Sequence, residues 1–78
     1  MKIEILTPQQ TLFEGEGERI QLPGADGLFE ILKNHAPMVY VLKQGKVRII
    51  DRQNQRQYIE IKGGVVDVKD NVVKVLAD

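Results

Sequence analysis

The chain lacks several residue types on which catalytic and metal sites depend. It has no cysteine, no tryptophan and no serine, and its only histidine is His35. Without cysteine there is no disulfide, thiolate metal ligand or cysteine nucleophile. Without serine there is no Ser-His-Asp triad, and a single histidine cannot form a multi-histidine metal site. We therefore expect no catalytic residue, no metal and no cofactor.

Length and charge narrow the class of protein further. Its 78 residues fit one domain, which we assign to residues 1–78. The core of so small a domain supplies only about 3–5 kcal/mol, so such domains often rely on a partner. Lys+Arg and Asp+Glu both total 11, which does not indicate a nucleic-acid ligand. No apolar run approaches the roughly 20 residues that cross a bilayer, no signal segment opens the chain, and the absence of cysteine fits a cytoplasmic protein.

The charges are unevenly distributed along the chain. Residues 1–30 carry six acidic and two basic side chains, whereas residues 31–56 carry six basic side chains and one acidic side chain. This asymmetry fits an oriented contact with a partner, but it also fits ordinary solvated strand faces and a polar loop. The sequence alone leaves both interpretations open.

The apolar residues predict an all-β fold. Valine and isoleucine together number 17 and alanine only 3, and β-branched side chains favour strands. Apolar and polar residues alternate in four segments: KIEIL, KVRII, QYIEIK and NVVKVL. No apolar stripe has the 3.6-residue period of a helix. Short strands at this spacing predict a β-sandwich or a β-barrel.

Turn residues separate the predicted strands. Thr7-Pro8 ends the first strand, and residues 22–27 form a turn that contains Pro23. Gln44-Gly45 predicts a hairpin between residues 38–42 and 46–51. Gly63-Gly64 predicts a bulge or a close approach of two backbones. Two more polar connections are predicted at 52–56 and 69–71.

Two features invite a chemical interpretation. In an extended chain, the carboxylates of the EGEGE segment, Glu14 to Glu18, lie on one face, as they would in an acid/base pair or a cation site. We favour an acidic sheet edge that prevents pairing with another sheet. His35 precedes Ala36-Pro37, which holds the loop extended. We interpret His35 as a loop or interface residue.

Several motifs, in a specific order, resemble the N-terminal β-sandwich of the epsilon subunit of rotary ATP synthase. The resemblance covers essentially the whole chain. The matching residues are Phe13, Gly15, Gly24, Gly27, His35-Ala36-Pro37, Lys43-Gln44-Gly45, Arg48, Gly63-Gly64 and Val75-Leu76-Ala77-Asp78. Between Gly27 and His35 the chain lacks the second acidic residue, the glycine and the Pro-Gly that the family often has.

The resemblance implies a ten-stranded sandwich of two five-stranded sheets. It implies a non-catalytic rotor subunit of the central stalk, which binds gamma and the c-ring in a complex with alpha, beta and delta subunits. That complex lies at the cytoplasmic side of the bacterial plasma membrane, where the subunit is peripheral. The C-terminal helical hairpin that usually follows this domain is absent from the 78 residues.

The resemblance also suggests two interfaces. We expect the gamma interface at Thr7, His35, Ala36, Pro37 and Met38. We expect the c-ring interface at Gly24, Ala25, Asp26, Gly27, Leu28, Phe29 and Glu30. Leu28 and Phe29 follow a turn, where apolar side chains need a partner or must point inward.

Two other functions compete with this interpretation. A nucleic-acid-binding β-barrel would use the basic middle of the chain and stack bases on Tyr40 and Tyr58. A small hydrolase would use Glu14, Glu16 and His35. Both are weaker than the stalk hypothesis, because aromatic residues make up only 5% of a neutral chain and no nucleophile accompanies the histidine.

Overall fold

A computed structural model describes all of residues 1–78, and it confirms the all-β class. Nine strands and no helix make up the chain. The strands are β1 (Lys2–Leu6), β2 (Thr11–Glu16), β3 (Arg19–Gly24), β4 (Gly27–Leu32), β5 (Met38–Leu42), β6 (Gly45–Ile50), β7 (Arg56–Ile61), β8 (Gly64–Lys69) and β9 (Val72–Ala77). The strand count is thus nine, one fewer than the ten expected.

The strands form two layers that share one hydrogen-bonded ladder. The first layer has the order β2-β1-β9-β8-β5, and the second has the order β4-β3-β6-β7. A single pair, Gly24 with Leu42, joins β3 to β5 and so connects the layers. Two separate five-stranded sheets were expected, and the difference lies in this junction and in the four-stranded second layer.

Strand alternation places one apolar face of each layer in a common core. Ile3 and Ile5 of β1 and Val73 and Val75 of β9 are fully buried. The core cluster contains 15 residues: Met1, Ile3, Ile5, Ile20, Leu22, Ile31, Leu42, Val47, Ile49, Ile61, Val66, Val68, Val73, Val75 and Ala77. Burial of branched side chains at about 1.5–3 kcal/mol each is the main favourable term for this fold.

The two layers come together over Gly17. A Cβ atom on Gly17 would lie 2.6 Å from Cδ1 of Ile3 in the first layer and 3.1 Å from Cγ2 of Ile49 in the second. Only glycine leaves room for both isoleucines at this point. The second glycine of the EGEGE segment therefore has a packing role.

The hairpin predicted at Gln44-Gly45 is wrong. β5 pairs with β8, and β6 pairs with β3 and β7, so the chain crosses between layers at residues 43–44. The Lys43 N–H donates to the Pro23 carbonyl at 2.8 Å. This hydrogen bond joins the residue after β5 to the end of β3, so β5 does not turn back to pair with β6. Adjacent runs with a turn between them resemble a hairpin in sequence whether or not they pair.

The turn predicted at residues 22–27 is shorter than expected: Leu22, Pro23 and Gly24 belong to β3, Gly27 begins β4, and only Ala25 and Asp26 form the turn. The remaining turn predictions agree with the structure to within one residue. Asp70 and Asn71 form a two-residue turn between β8 and β9, and both have positive φ, at 53° and 61°. Gly63 and Gly64 also have positive φ, and the backbone of β9 passes close to Gly64. Thr7 follows the end of β1, and the polar loop after β6 runs from Asp51 to Gln55.

Candidate interaction surface

The β3–β4 hairpin exposes apolar side chains beside β5. Its turn consists of Ala25 and Asp26, and Leu28 is 66% exposed. The Phe29 ring meets the Tyr40 ring edge-on, with 5.3 Å between ring centroids and 80° between ring planes. A shallow depression of about 260 Å³ lies here. We call it the hairpin surface; its residues are Asp26, Gly27, Leu28, Phe29, Met38 and Tyr40.

A hydrogen bond fixes the hairpin tip against β5. The Tyr40 hydroxyl donates to Oδ2 of Asp26 at 2.6 Å. This hydrogen bond, with smaller contributions from burial and from the Asp26 charge, raises the pKa of Tyr40 above its usual 10.0. A raised pKa means that the bond stabilises the fold below pH 10.0, and that its contribution is lost as pH rises through the folded-state pKa. The tip is therefore held in place throughout the neutral range.

Glu30 is bound within the chain. Its carboxylate accepts a hydrogen bond from Nη2 of Arg48 and lies 4.0 Å from Nε of Arg19. The Arg48 side chain is only 19% exposed, and its buried Nε has no partner. Glu30 thus pairs with a mostly buried cation on the outer face of the second layer. Its neighbours at 24–29 form the hairpin tip.

His35 lies in an exposed loop between β4 and β5. Its Nδ1 is 2.7 Å from the Ala36 carbonyl, which can only accept, so Nδ1 carries the proton in this contact. The loop is held by Asn34, whose N–H donates to Oδ1 of Asn71 at 2.8 Å and whose φ is 61°. No carboxylate hydrogen-bonds to the ring. The geometry fits the loop role predicted for His35.

The structure separates the residues expected to meet gamma. Thr7 follows β1, while His35, Ala36 and Pro37 precede β5, and β1 runs in the same direction as β5 within one layer. Thr7 therefore lies at the opposite end of that layer from His35. The Thr7 hydroxyl accepts the N–H groups of Gln9 and Gln10 and donates to the Gln10 carbonyl. Met38 belongs with the hairpin surface instead.

Sequence reasoning missed an apolar row on the outer face of the first layer. Val41, Val65, Leu76 and Leu6 occupy matching positions on β5, β8, β9 and β1. Val41 is 59% exposed and Leu76 is 50% exposed. We call these four side chains the apolar row. Alternation marks each residue as outward-facing, but only the strand order makes them neighbours.

The hydrolase constellation does not assemble. Glu14 and Glu16 lie on the edge strand β2, and β5, which follows the His35 loop, is four strand positions away, about 19 Å at the usual strand spacing. Glu18 leaves the carboxylate series and pairs with Lys33 at 3.1 Å. No group of three or more His, Cys, Asp or Glu side chains could hold a metal ion.

The structure does not assemble the binding platform that the nucleic-acid alternative requires, because Tyr40 and Tyr58 lie in different layers. Lys33 and Arg48 of the basic middle are paired with Glu18 and Glu30. Tyr40 faces Phe29 and Asp26, whereas Tyr58 is exposed on β7 in the other layer. The two rings thus do not form one stacking platform. No helix is long and apolar enough to cross a membrane.

Together, the fold and surfaces define a class: a small all-β domain of two layers with exposed apolar patches. Comparison with known proteins gives the family. Residues 1–78 match the family model described as "ATP synthase, Delta/Epsilon chain, beta-sandwich domain". The ATP synthase epsilon chain of Chlorobium limicola is 40% identical over 77 residues, which cover 99% of this chain and 88% of that protein. The chain therefore belongs to the ATP synthase epsilon-chain family.

Other relatives are longer than this chain. The epsilon chain of Leptospira borgpetersenii is 36% identical over 78 residues, and the match covers 100% of this chain but 61% of the relative. The epsilon chain of Chlorobaculum tepidum is 38% identical, and 86% of its length is matched. Membership in this family agrees with a subunit that has no catalytic activity of its own.

Solved structures share the fold. A chain of the Euglena gracilis mitochondrial ATP synthase, in a structure of OSCP, F1 and the c-ring, superposes with a TM-score of 0.88 at 19% identity and covers 96% of this chain and 48% of that one. A chain of the Tetrahymena thermophila central stalk and c-ring gives a TM-score of 0.79 at 22% identity, with 97% of this chain and 61% of that one covered. At these identities the likeness establishes the fold.

Proposed function

We propose that this chain is a rotor subunit of the central stalk of a proton-translocating ATP synthase. It binds gamma and the c-ring, and so helps couple proton-driven rotation to ATP synthesis. The complex includes alpha, beta and delta subunits, and the chain is peripheral on the cytoplasmic side of the membrane. The observation that carries this proposal is membership in the epsilon-chain family over all 78 residues, joined to exposed apolar surfaces on a domain without catalytic groups.

The hairpin surface is our candidate for the c-ring contact. Leu28 is the most exposed apolar residue of the hairpin, and the tip is held by the Asp26–Tyr40 hydrogen bond. A rigid tip loses little conformational entropy when it binds, which favours affinity. Within the expected range 24–30, residues 25–29 form the contact, whereas Gly24 is buried at the end of β3 and Glu30 is bound to Arg48 and Arg19.

The outer face of the first layer is our candidate for the gamma contact. Thr7 and the His35–Pro37 segment lie at its two ends, and the apolar row crosses the face between them. Val39 adds a further side chain that is 67% exposed. An exposed apolar patch of this kind marks a protein interface more often than an isolated exposed side chain does. A single partner that spans this face would contact both groups of residues.

The test changes each surface separately in the purified chain and measures its binding to the c-ring and to gamma. Leu28→Ser with Phe29→Ser should reduce attachment to purified c-ring by at least about tenfold, because two apolar contacts are lost. Val41→Ser with Leu76→Ser should instead reduce capture by gamma from the same source. Binding of the unmodified chain to neither gamma nor the ring would refute the proposal.

A matched control separates loss of these two surfaces from the general effect of removing an exposed apolar side chain, and a circular dichroism spectrum of each variant checks that it is folded. Tyr58→Ser changes a side chain that is 56% exposed on β7, outside both candidate surfaces. It should leave gamma capture and ring attachment unchanged. Ring attachment that survives the Leu28→Ser, Phe29→Ser change would remove the assignment of the hairpin surface, even if gamma still binds.

A further inference from the structure

Three strands of the fold have an edge that is unpaired over its whole length, and one of them is poorly protected; β5 differs from these because its end is joined to β3 at Leu42. β2 and β7 end the strand order, and β4 pairs only with β3. β2 carries Glu14 and Glu16, and β7 carries Arg56 and Glu60, charges that discourage pairing with another strand. β4 reads GLFEIL, without proline or lysine, and its one charge belongs to Glu30. An exposed apolar edge of this kind is a site for strand addition.

The polar groups of β4 that face outward follow from its register with β3. Pro23 has no N–H, and its carbonyl accepts the Lys43 N–H, so its polar groups point away from β4. Pro23 is opposite Leu28, which therefore occupies a non-hydrogen-bonded pair and directs its own N–H and C=O to the free edge. The same alternation applies to Glu30 and Leu32. Three residues thus present unpaired backbone groups.

The apolar pattern of this edge is symmetric about Glu30. Reading outward from Glu30 in both directions, the next residues are Phe29 and Ile31, and then Leu28 and Leu32. In an antiparallel pair of two copies centred on Glu30, Leu28 lies opposite the partner's Leu32 and the backbone groups of residues 28, 30 and 32 meet. About six hydrogen bonds then form between the copies. Leu28 and Leu32, which are 66% and 54% exposed, become covered.

The charge at the centre of this arrangement is already compensated. The Glu30 carboxylate is directed toward Arg48 of β6 and Arg19 of β3, which lie on the side of β4 away from its free edge. Two Glu30 side chains that face each other across the two-fold axis would therefore each retain two arginine neighbours. This reduces the like-charge repulsion that opposite carboxylates would otherwise cause.

We propose that the free chain forms a symmetric dimer by antiparallel pairing of β4 with β4 of a second copy, with the two-fold axis at Glu30. The interface is small, so the dimer is weak and dissociates on dilution. The pairing does not depend on the proposed stalk function. If that function holds, the c-ring and the second copy compete for Leu28.

The first experiment measures association of the purified chain by sedimentation velocity over a range of concentrations. A reversible monomer–dimer equilibrium is expected, and Leu28→Lys should weaken it by about tenfold or more, because the lysine would be placed against an apolar partner. Leu76→Lys, an exposed leucine on β9, is the matched control and should leave the equilibrium unchanged. A monomer at every concentration, or a dimer insensitive to Leu28→Lys, overturns the proposal.

The second experiment tests the register, using the fact that the chain has no cysteine. In the proposed dimer, residues 28 and 32 of opposite copies have Cα atoms about 5.5 Å apart, within disulfide range. Two copies of residue 28 lie about 13 Å apart, beyond that range. A mixture of Leu28→Cys and Leu32→Cys chains should therefore cross-link on mild oxidation, while either variant alone should not. Equal cross-linking of a single variant overturns this register.

Discussion

At the scale of single residues, Gly64 is the most constrained position in the chain. Its φ is +145°, and a Cβ atom there would lie 2.2 Å from the Leu76 carbonyl oxygen. Both the backbone conformation and the space exclude a side chain. Gly27 has a similar φ of +129°, but nothing lies within 4 Å of its Cβ position. Substitution of Gly27 therefore tests the cost of the backbone conformation alone, whereas substitution of Gly64 adds the cost of a steric clash.

We predict that Gly64→Ala lowers the free energy of unfolding by about 3 kcal/mol or more, because the clash is with backbone that cannot easily move. Gly27→Ala should lower it by only about 1–2 kcal/mol, the cost of the unfavourable φ. Urea denaturation of both variants measures the difference. Equal decreases in the free energy of unfolding for the two variants would show that the close approach of Gly64 to Leu76 does not affect stability.

At the scale of elements, the outer face of the second layer depends on one carboxylate. Glu30 of β4 contacts Arg19 of β3 and Arg48 of β6, so it joins three neighbouring strands. Because Arg48 is mostly buried, losing its acceptor leaves a charged donor without a partner. The Lys33–Glu18 pair is more exposed, at 51% and 36%. Exposed pairs contribute little because water and salt screen them.

We predict that Glu30→Ala destabilises the fold by about 1–3 kcal/mol, the usual effect of an unsatisfied buried donor. The matched change Glu18→Ala should cost no more than about 0.5 kcal/mol. Chemical denaturation at neutral pH compares the two variants. A Glu30→Ala chain as stable as the Glu18→Ala chain would mean that Arg48 reaches solvent without its partner.

At the scale of the whole molecule, the first layer is closed by strands from opposite ends of the chain. β1 pairs in parallel with β9, and β9 also pairs with β8, so β9 lies inside the layer. It contributes Val73, Val75 and Ala77 to the core. Pairing of distant segments is typical of slow-folding β proteins, because loop closure precedes the gain from contact.

We predict that a chain ending at Asn71 does not fold, because both β1 and β8 lose their inner neighbour and the small core loses three residues. Far-UV circular dichroism and amide chemical-shift dispersion measure the outcome. A chain ending at Ala77 is the control and should remain folded, since Asp78 is exposed and makes one backbone hydrogen bond, to Gly63. Native-like dispersion without β9 would contradict the assignment of β9 as a central strand.

Local patterns were enough to establish the all-β class, most strand positions and the turns at Thr7-Pro8 and Asp70-Asn71. Alternation and turn chemistry act over a few residues, so they can be read directly from sequence. The motif order from Gly24 to Asp78 was likewise enough for the family. Local patterns could not predict which strands pair, because the residues of β5 are equally compatible with pairing to β6 or to β8.

The surfaces depend on those long-range pairings. Thr7 and His35 were both assigned to the predicted gamma interface, but the strand directions place them at opposite ends of one layer. Leu6, Val41, Val65 and Leu76 are far apart in sequence and become one row through the ladder of β1, β9, β8 and β5. Glu30 is bound by Arg48 because β3 lies between β4 and β6. Sequence sets which side of a strand each residue occupies, whereas register and strand order set its neighbours.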